Sequence, residues 1–249
     1  MSGPAVPESM KPPASVRLHD VTKHYELGRT QVPALQGVSL AVEKGEFLAV
    51  AGPSGSGKST LLNLVGCLDQ PSTGTVFIGE QDVSVLSDDA LSDLRAHTLG
   101  FIFQTFNLIP VLSALENVEF PLLVRVGAPV PRGEARRRAE HALLQVGLAD
   151  FLRHRPDELS GGQRQRVAVA RALVTAPAVV LADEPTANLD SATGDAIIDL
   201  MLDINRRERT TFIFSTHDPR VMQHAHRVVH IQDGRLAPAS VMIPAVEQP

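Results

Sequence analysis

Gly52-Pro53-Ser54-Gly55-Ser56-Gly57-Lys58-Ser59 decides the fold. It matches G-x-x-x-x-G-K-[ST], and its flanks read correctly for a phosphate loop. Phe47–Ala51 before it is a short apolar run, predicted as a strand, and Lys58–Val65 after it reads as a helix. Three glycines let the backbone curl so that N–H groups point inward at phosphate oxygens. The following helix offers the anion its positive end. In this geometry Lys58 reaches the β- and γ-phosphates, and Ser59 is the expected Mg²⁺ ligand, followed by Thr60. The stretch therefore predicts a protein that binds a nucleoside triphosphate with Mg²⁺.

Working outward, strands and helices alternate. Val38–Val42, Thr75–Ile78, Ile102–Phe103, Val179–Ala182, Thr211–Ser215 and Val228–Ile231 read as strands, and Asp233-Gly234 reads as a turn. Ala192–Asn205 is an amphipathic helix. The stretch from about Ala114 to Thr175 is mostly helical, with apolar spacing at Leu143, Leu144 and Val146 and turn signals at Gly127, Pro129, Gly147 and Pro156. Val179–Ala182 is continuously apolar, as expected of a parallel strand covered on both faces. The pattern predicts an α/β core with a parallel sheet and a helical insertion over about residues 88–175. Residues 1–15, with Pro4, Pro7, Pro12 and Pro13, and residues 237–249 read as disordered or loose tails.

Composition narrows the function. Of 249 residues, 43% are hydrophobic and 20% charged, an ordinary globular balance. With 23 basic against 28 acidic residues the net charge is −5, which argues against a generally basic nucleic-acid surface. Cys67 is the sole cysteine, so no intramolecular disulfide forms, which fits a reducing compartment. No apolar run approaches the roughly 18–20 residues of a membrane span, and the N-terminus has no apolar stretch of a secretory signal. A role in a membrane therefore needs a partner.

Val179–Glu184 is an apolar strand ending in two acids: Asp183 is placed to hold Mg²⁺ and Glu184 to polarise an attacking water as general base. The phosphate loop and this strand together indicate a triphosphate hydrolase or a kinase. Leu159-Ser160-Gly161-Gly162-Gln163 discriminates between them. Ser160 with Gln163 makes a capping box at a helix start. A cap does not require two glycines, which weaken a first turn. Gly161 and Gly162 instead suit a second surface of backbone N–H groups for an anion.

Phosphate loop, Leu-Ser-Gly-Gly-Gln and then Asp-Glu at a strand end is the motif order of ATP-binding cassette (ABC) proteins. The chain resembles that family over about residues 16–236. The resemblance implies a P-loop ATPase core with an antiparallel β subdomain and the helical subdomain. It implies that Gln104, after Ile102–Phe103, is the Q-loop glutamine, which arranges Mg²⁺ and water. Asn188-Leu189-Asp190 is the matching D-loop, His217 is the switch histidine, and Tyr25 stacks on adenine. It also implies a homodimer formed on ATP, in which Ser160–Gln163 of one subunit closes on the nucleotide held by the other.

Gly52–Asp69, Leu99–Pro110 and His154–Leu173 are similar to the Mac/Lol-type branch, which serves macrolide efflux and lipoprotein release. This implies an integral membrane permease as partner and a place on the cytoplasmic face of the inner membrane. The alternative is a regulator of a membrane partner without transport, as in cell-division relatives. Two departures stand out. Thr105-Phe106-Asn107-Leu108 lacks the paired histidines of dedicated lipoprotein-release subunits, and Arg164 replaces a glutamine common among relatives. Phe106, Leu108, Ile109 and Leu112 are candidates for the permease groove. His224, His226 and His230 could suggest a metal, but solvated residues around a strand are the better reading because no carboxylate or cysteine set accompanies them. Arg136–Arg138 read as a solvated helix face.

Overall fold

A computed structural model describes residues 14–28, 30–124, 129–237 and 241–242. The turn signal Gly127 and the four tail prolines lie outside the described residues. The elements run β1 (Ala14–Leu27), β2 (Thr30–Glu43), β3 (Phe47–Ala51), α1 (Lys58–Val65), β4 (Thr73–Ile78), β5 (Gln81–Asp82), α2 (Asp88–Thr98), β6 (Leu99–Ile102), α3 (Ala114–Leu123), α4 (Arg132–Gln145), α5 (Gly161–Leu173), β7 (Val179–Asp183), α6 (Ser191–Glu208), β8 (Thr211–Thr216), α7 (Pro219–His224), β9 (Arg227–Gln232), β10 (Arg235–Leu236) and β11 (Val241–Met242).

Two sheets form. One is antiparallel, in the order β2-β1-β4-β5. The other runs β10-β9-β3-β8-β7-β6, and its strands β9, β3, β8, β7 and the edge strand β6 are all parallel. The continuous apolar runs are explained by what covers each face. Phe47, Ala49 and Ala51 of β3 point into a core with Val118 of α3, Leu143 of α4, Val167 of α5 and Ile197 of α6. Leu48 and Val50, one residue out of phase, point into a second core with Leu18, Leu40 and Val76 of the antiparallel sheet and Leu61 of α1. β7 and β8 divide in the same way, so a central strand has no polar face to show. Phe47 and Phe214 meet across β3 and β8 with ring centroids 4.3 Å apart.

The structure departs from the sequence reading at the edges. β1 is unforeseen. Its inward residues Val16, Leu18 and Val21 lose strict alternation at a register shift beside Asp20, whose φ is +46°. β2 begins at Thr30 rather than Val38. Its first half is exposed and carries Pro33, which an edge strand tolerates. β6 covers Leu99–Ile102, leaving Phe103 just beyond the strand. α7 is unforeseen although Asp218-Pro219 is a helix-start signal: the Asp218 side chain accepts from Arg220 N, and Pro219 takes the first helical position. Within the stretch predicted as a loose tail, Val241–Met242 pairs with β9.

Candidate functional site

The phosphate loop leaves β3 and enters α1 at Gly57, whose φ is +108°. Two of its glycines are dictated by backbone neighbours. A Cβ on Gly57 would lie 2.6 Å from Ala34 O, and one on Gly52 would lie 2.2 Å from Ile231 O. β2 and β9 thus press on the loop from behind. No side chain caps α1 and no acidic residue sits in its first turn. The helix end remains available to an anion.

In front of the loop lies an open cleft of about 690 Å³. Pro53, Ser54, Gly55, Gly57, Lys58, Ser59 and Thr60 line it together with Gln104, Asp183, Glu184 and His217. Residues more than a hundred positions apart meet here because β3, β7 and β8 are adjacent parallel strands, so their following loops emerge at one end of the sheet. Lys58 Nζ donates to Gly52 O at 2.8 Å and Pro53 O at 2.9 Å. Ser59 Oγ donates to Asp183 Oδ2 at 3.3 Å, while Asp183 Oδ1 is buried without a hydrogen-bond partner among the described residues. Glu184 follows with φ +48°, a conformation costly for a non-glycine residue, and its N–H is held by Ser215 O at 2.9 Å. His217 Nδ1 lies 2.7 Å from Glu184 Oε2. Gln104 is exposed, and its carbonyl accepts from Asn188 Nδ2 at 2.8 Å.

Other sequence-predicted residues lie elsewhere. Gly52 and the buried Ser56 form the loop's wall rather than its lining. Tyr25, 37% exposed, is on β1 outside the lining. Its hydroxyl donates to Asp69 Oδ2 at 2.9 Å, and Lys23 Nζ is 5.1 Å from its ring centroid. Ser160–Gln163 do not line the cleft either. Ser160 Oγ accepts from Gln163 N at 3.3 Å, and Gln163 Oε1 accepts from Ser160 N at 2.8 Å, the reciprocal capping box of α5. A Cβ on Gly162 would lie 2.5 Å from Thr193 Cγ2, so close packing on α6 also demands this glycine. Asp190 caps α6 by accepting from Thr193 N at 3.0 Å; the Thr193 hydroxyl first, and this N–H second, hold its carboxyl below the usual range.

A second cavity, about 390 Å³, lies beside the Gln104 loop and is lined by Leu68, Phe101, Phe103, Asn107, Pro121 and Arg171 among others. None of Phe106, Leu108, Ile109 and Leu112 lines it. Leu108 packs on the core, and the buried side chain of Asn117 binds the backbone of Ile109 and Leu112, drawing that segment onto α3. Arg136 and Arg138 pair with Glu140 and Glu134 on the exposed face of α4. Among the described residues no three His, Cys, Asp or Glu side chains form a metal set. His226 Nδ1 instead accepts from Phe47 N at 3.1 Å, and burial holds this imidazole below its ordinary pKa.

The ABC transporter family matches residues 35–187, from the middle of β2 to the turn after Glu184. The chain belongs to the ABC transporter family. The lipoprotein-releasing system ATP-binding protein LolD of Anaeromyxobacter dehalogenans is 48% identical over 222 residues, 89% of this chain and 92% of that protein. The macrolide export ATP-binding/permease protein MacB of Syntrophobacter fumaroxidans is 47% identical over 225 residues, which is 90% of this chain but 31% of that protein. Among solved structures, the dimeric post-hydrolysis state of the ATP-binding cassette MJ0796 of Methanocaldococcus jannaschii, bound to ADP and Pi, superposes with a TM-score of 0.83. It is 44% identical and covers 91% of this chain and 98% of that one. The chain is accordingly an ABC ATP-binding cassette with a P-loop core, and an ATP hydrolase. No described helix is long and apolar enough to cross a membrane.

Proposed function

We propose that this cassette is the ATP-hydrolysing subunit of a Mac/Lol-type transporter and drives a separate integral membrane permease from the cytoplasmic face of the inner membrane. The observation that carries the reading is the convergence of Lys58, Ser59, Gln104, Asp183, Glu184 and His217 on one cleft. In this reading residues 16–236 are the ATPase domain, about 88–175 its helical subdomain, and 1–15 and 237–249 tails, the first of which ends in the opening residues of β1 and the second of which carries β11.

The chemistry follows from the donors present. Lys58 and the loop N–H groups take the phosphate charge, and Tyr25 offers adenine an aromatic face. Mg²⁺ fits the residues: a hydroxyl on Ser59, a carbonyl donor on Gln104 and the unpartnered Oδ1 of Asp183 are hard oxygen ligands. When bound, the ion neutralises charge building on the phosphate oxygens. Glu184 accepts a proton from the attacking water, and His217 orients the Glu184 carboxylate and contacts the γ-phosphate. The Ser160–Gln163 turn, exposed at Ser160, half-buried beyond it and absent from its own chain's cleft, supports completion of each site by a twin subunit. Such a contact is isologous, and a symmetric homodimer holds two equal sites.

The cavity beside the Gln104 loop, with Phe101, Phe103 and Leu68, suits an apolar element of the permease. Co-expression with a candidate permease, reconstitution and an ATP-dependent export or extraction assay test the reading. Permease-stimulated hydrolysis with movement of substrate is expected. Stimulation without movement would favour the regulatory alternative, and a cassette that never associates with a membrane protein overturns the reading.

A further inference from the structure

Arg164 has no part in the catalytic reading of the cleft, and the structure supplies its partner. Arg164 and Arg171 are seven residues apart on α5, two turns, so their side chains leave the same face. That face meets the loop after Gln104. The guanidinium carbon of Arg164 lies 5.3 Å from the centroid of the Phe106 ring. Arg171 donates through Nη2 to Phe106 O at 2.7 Å and through Nη1 to Asn107 O. Phe106 and Asn107 are consecutive left-handed residues, with φ +62° and +48°, a turn that persists only if its surroundings hold it.

Arg164 Nε is buried and has no hydrogen-bond partner among the described residues. A cationic side chain whose Nε is buried and unpartnered needs compensation, and the negative face of an aromatic ring provides it. The backbone N–H of Arg164 meanwhile donates to Ser160 O at 2.9 Å, in the first turn of α5. One side chain and one hydrogen bond therefore join Phe106 to Ser160.

We propose that Arg164 is a positioning residue whose guanidinium, stacked on Phe106, makes the Gln104 loop and the Ser160–Gln163 turn of one protomer move as a single body. This rests on the reading of those two segments given under Proposed function. A glutamine at this position carries no charge for the ring. Arg171 also ties α5 to this loop, but through backbone carbonyls, so only the Arg164–Phe106 contact depends on a side chain of the loop.

The test is a double-mutant cycle in the full chain. Arg164→Gln and Phe106→Leu should each lower kcat for ATP about three- to ten-fold, the range a partly buried cation–π pair covers. KM for ATP should stay within about two-fold, because neither residue lines the nucleotide cleft. The double variant should be no slower than the slower single variant. Phe106→Tyr, which keeps the ring, should turn over like wild type, and Arg164→Lys, which keeps the charge, should lose less than Arg164→Gln. In a Glu184→Gln background, the chain concentration giving half-maximal ATP-dependent dimerisation should rise by a similar factor, a readout that loosened packing alone does not move. Full turnover by Arg164→Gln, or losses that multiply in the double variant, overturns the proposal while Glu184→Gln still stops hydrolysis. Undiminished hydrolysis by Glu184→Gln overturns the site reading and the latch with it.

Discussion

His217 Nδ1 sits within 2.7–2.8 Å of both carboxylate oxygens of Glu184, joining the loop after β8 to the end of β7. A carboxylate only accepts, so Nδ1 donates in this pair. The His217 side chain is 70% exposed and the Glu184 side chain 19%, so the histidine reaches into the cleft while the acid stays at its wall.

Glu184→Gln should keep ATP binding and hydrolyse at least ~10²-fold more slowly, the scale of a positioned general base. His217→Gln, which retains a donor, should lose less than His217→Ala. Single-turnover ATP hydrolysis and equilibrium nucleotide binding measure both. Near-normal turnover by Glu184→Gln removes Glu184 from that role.

Gly57→Ala should impair both folding and nucleotide binding. Its φ of +108° is strained for alanine, and the new methyl group would meet Ala34 O at 2.6 Å. Lys58→Ala should instead leave the thermal midpoint near wild type and abolish ATP binding at concentrations that saturate the parent. Differential scanning fluorimetry with and without Mg²⁺-ATP separates the two outcomes.

Gly162 faces two demands that one variant cannot separate. Gly162→Ala forces a methyl group against Thr193 Cγ2 at 2.5 Å. Thr193→Ser removes that methyl, so the double variant should recover thermal stability. If Gly162 also serves a nucleotide on the twin subunit, ATP-driven dimerisation stays weakened after stability returns. Full recovery of both would make its role packing alone. Ser160→Arg, at an exposed position, should block ATP-driven dimerisation on sizing chromatography while the monomer still binds ATP.

Asp218 accepts from the Arg220 side chain, Nε to Oδ1 at 3.0 Å and Nη2 to Oδ2 at 2.7 Å, from Arg220 N at 2.9 Å and from Thr186 Oγ1 at 3.0 Å. The Arg220 bond is the main cause holding the Asp218 carboxyl below the usual range. A lowered folded pKa means that the stabilisation is complete above the unfolded carboxyl value, about 3.9, and is lost as pH falls through the folded value. Arg220→Gln should therefore lower the thermal midpoint at pH 7, and the gap from wild type should close on acidification below about pH 4. A gap that stays unchanged through the whole acid range assigns the loss to packing instead.

Local chemistry made the phosphate loop, the Asp183-Glu184 strand end, the Ser160–Gln163 cap and the parallel core legible in the residues alone. Glycine spacing, a continuous apolar run and a capping box each act within a few residues of themselves. What depends on distant neighbours was decided only by the folded chain. β1 stayed hidden because its bulge at Asp20 broke the alternation by which a strand is read. Gly52, Gly57 and Gly162 suggest phosphate from sequence, yet Ile231, Ala34 and Thr193 press on them from elements far along the chain. Arg164 had no reading until Phe106 was found beneath it, fifty-eight positions away, because a stacked pair exists only once two elements pack. Sequence wrote the groups that do the chemistry, and packing decided which of them share a cleft, since parallel strands bring their C-terminal loops together whatever their order along the chain.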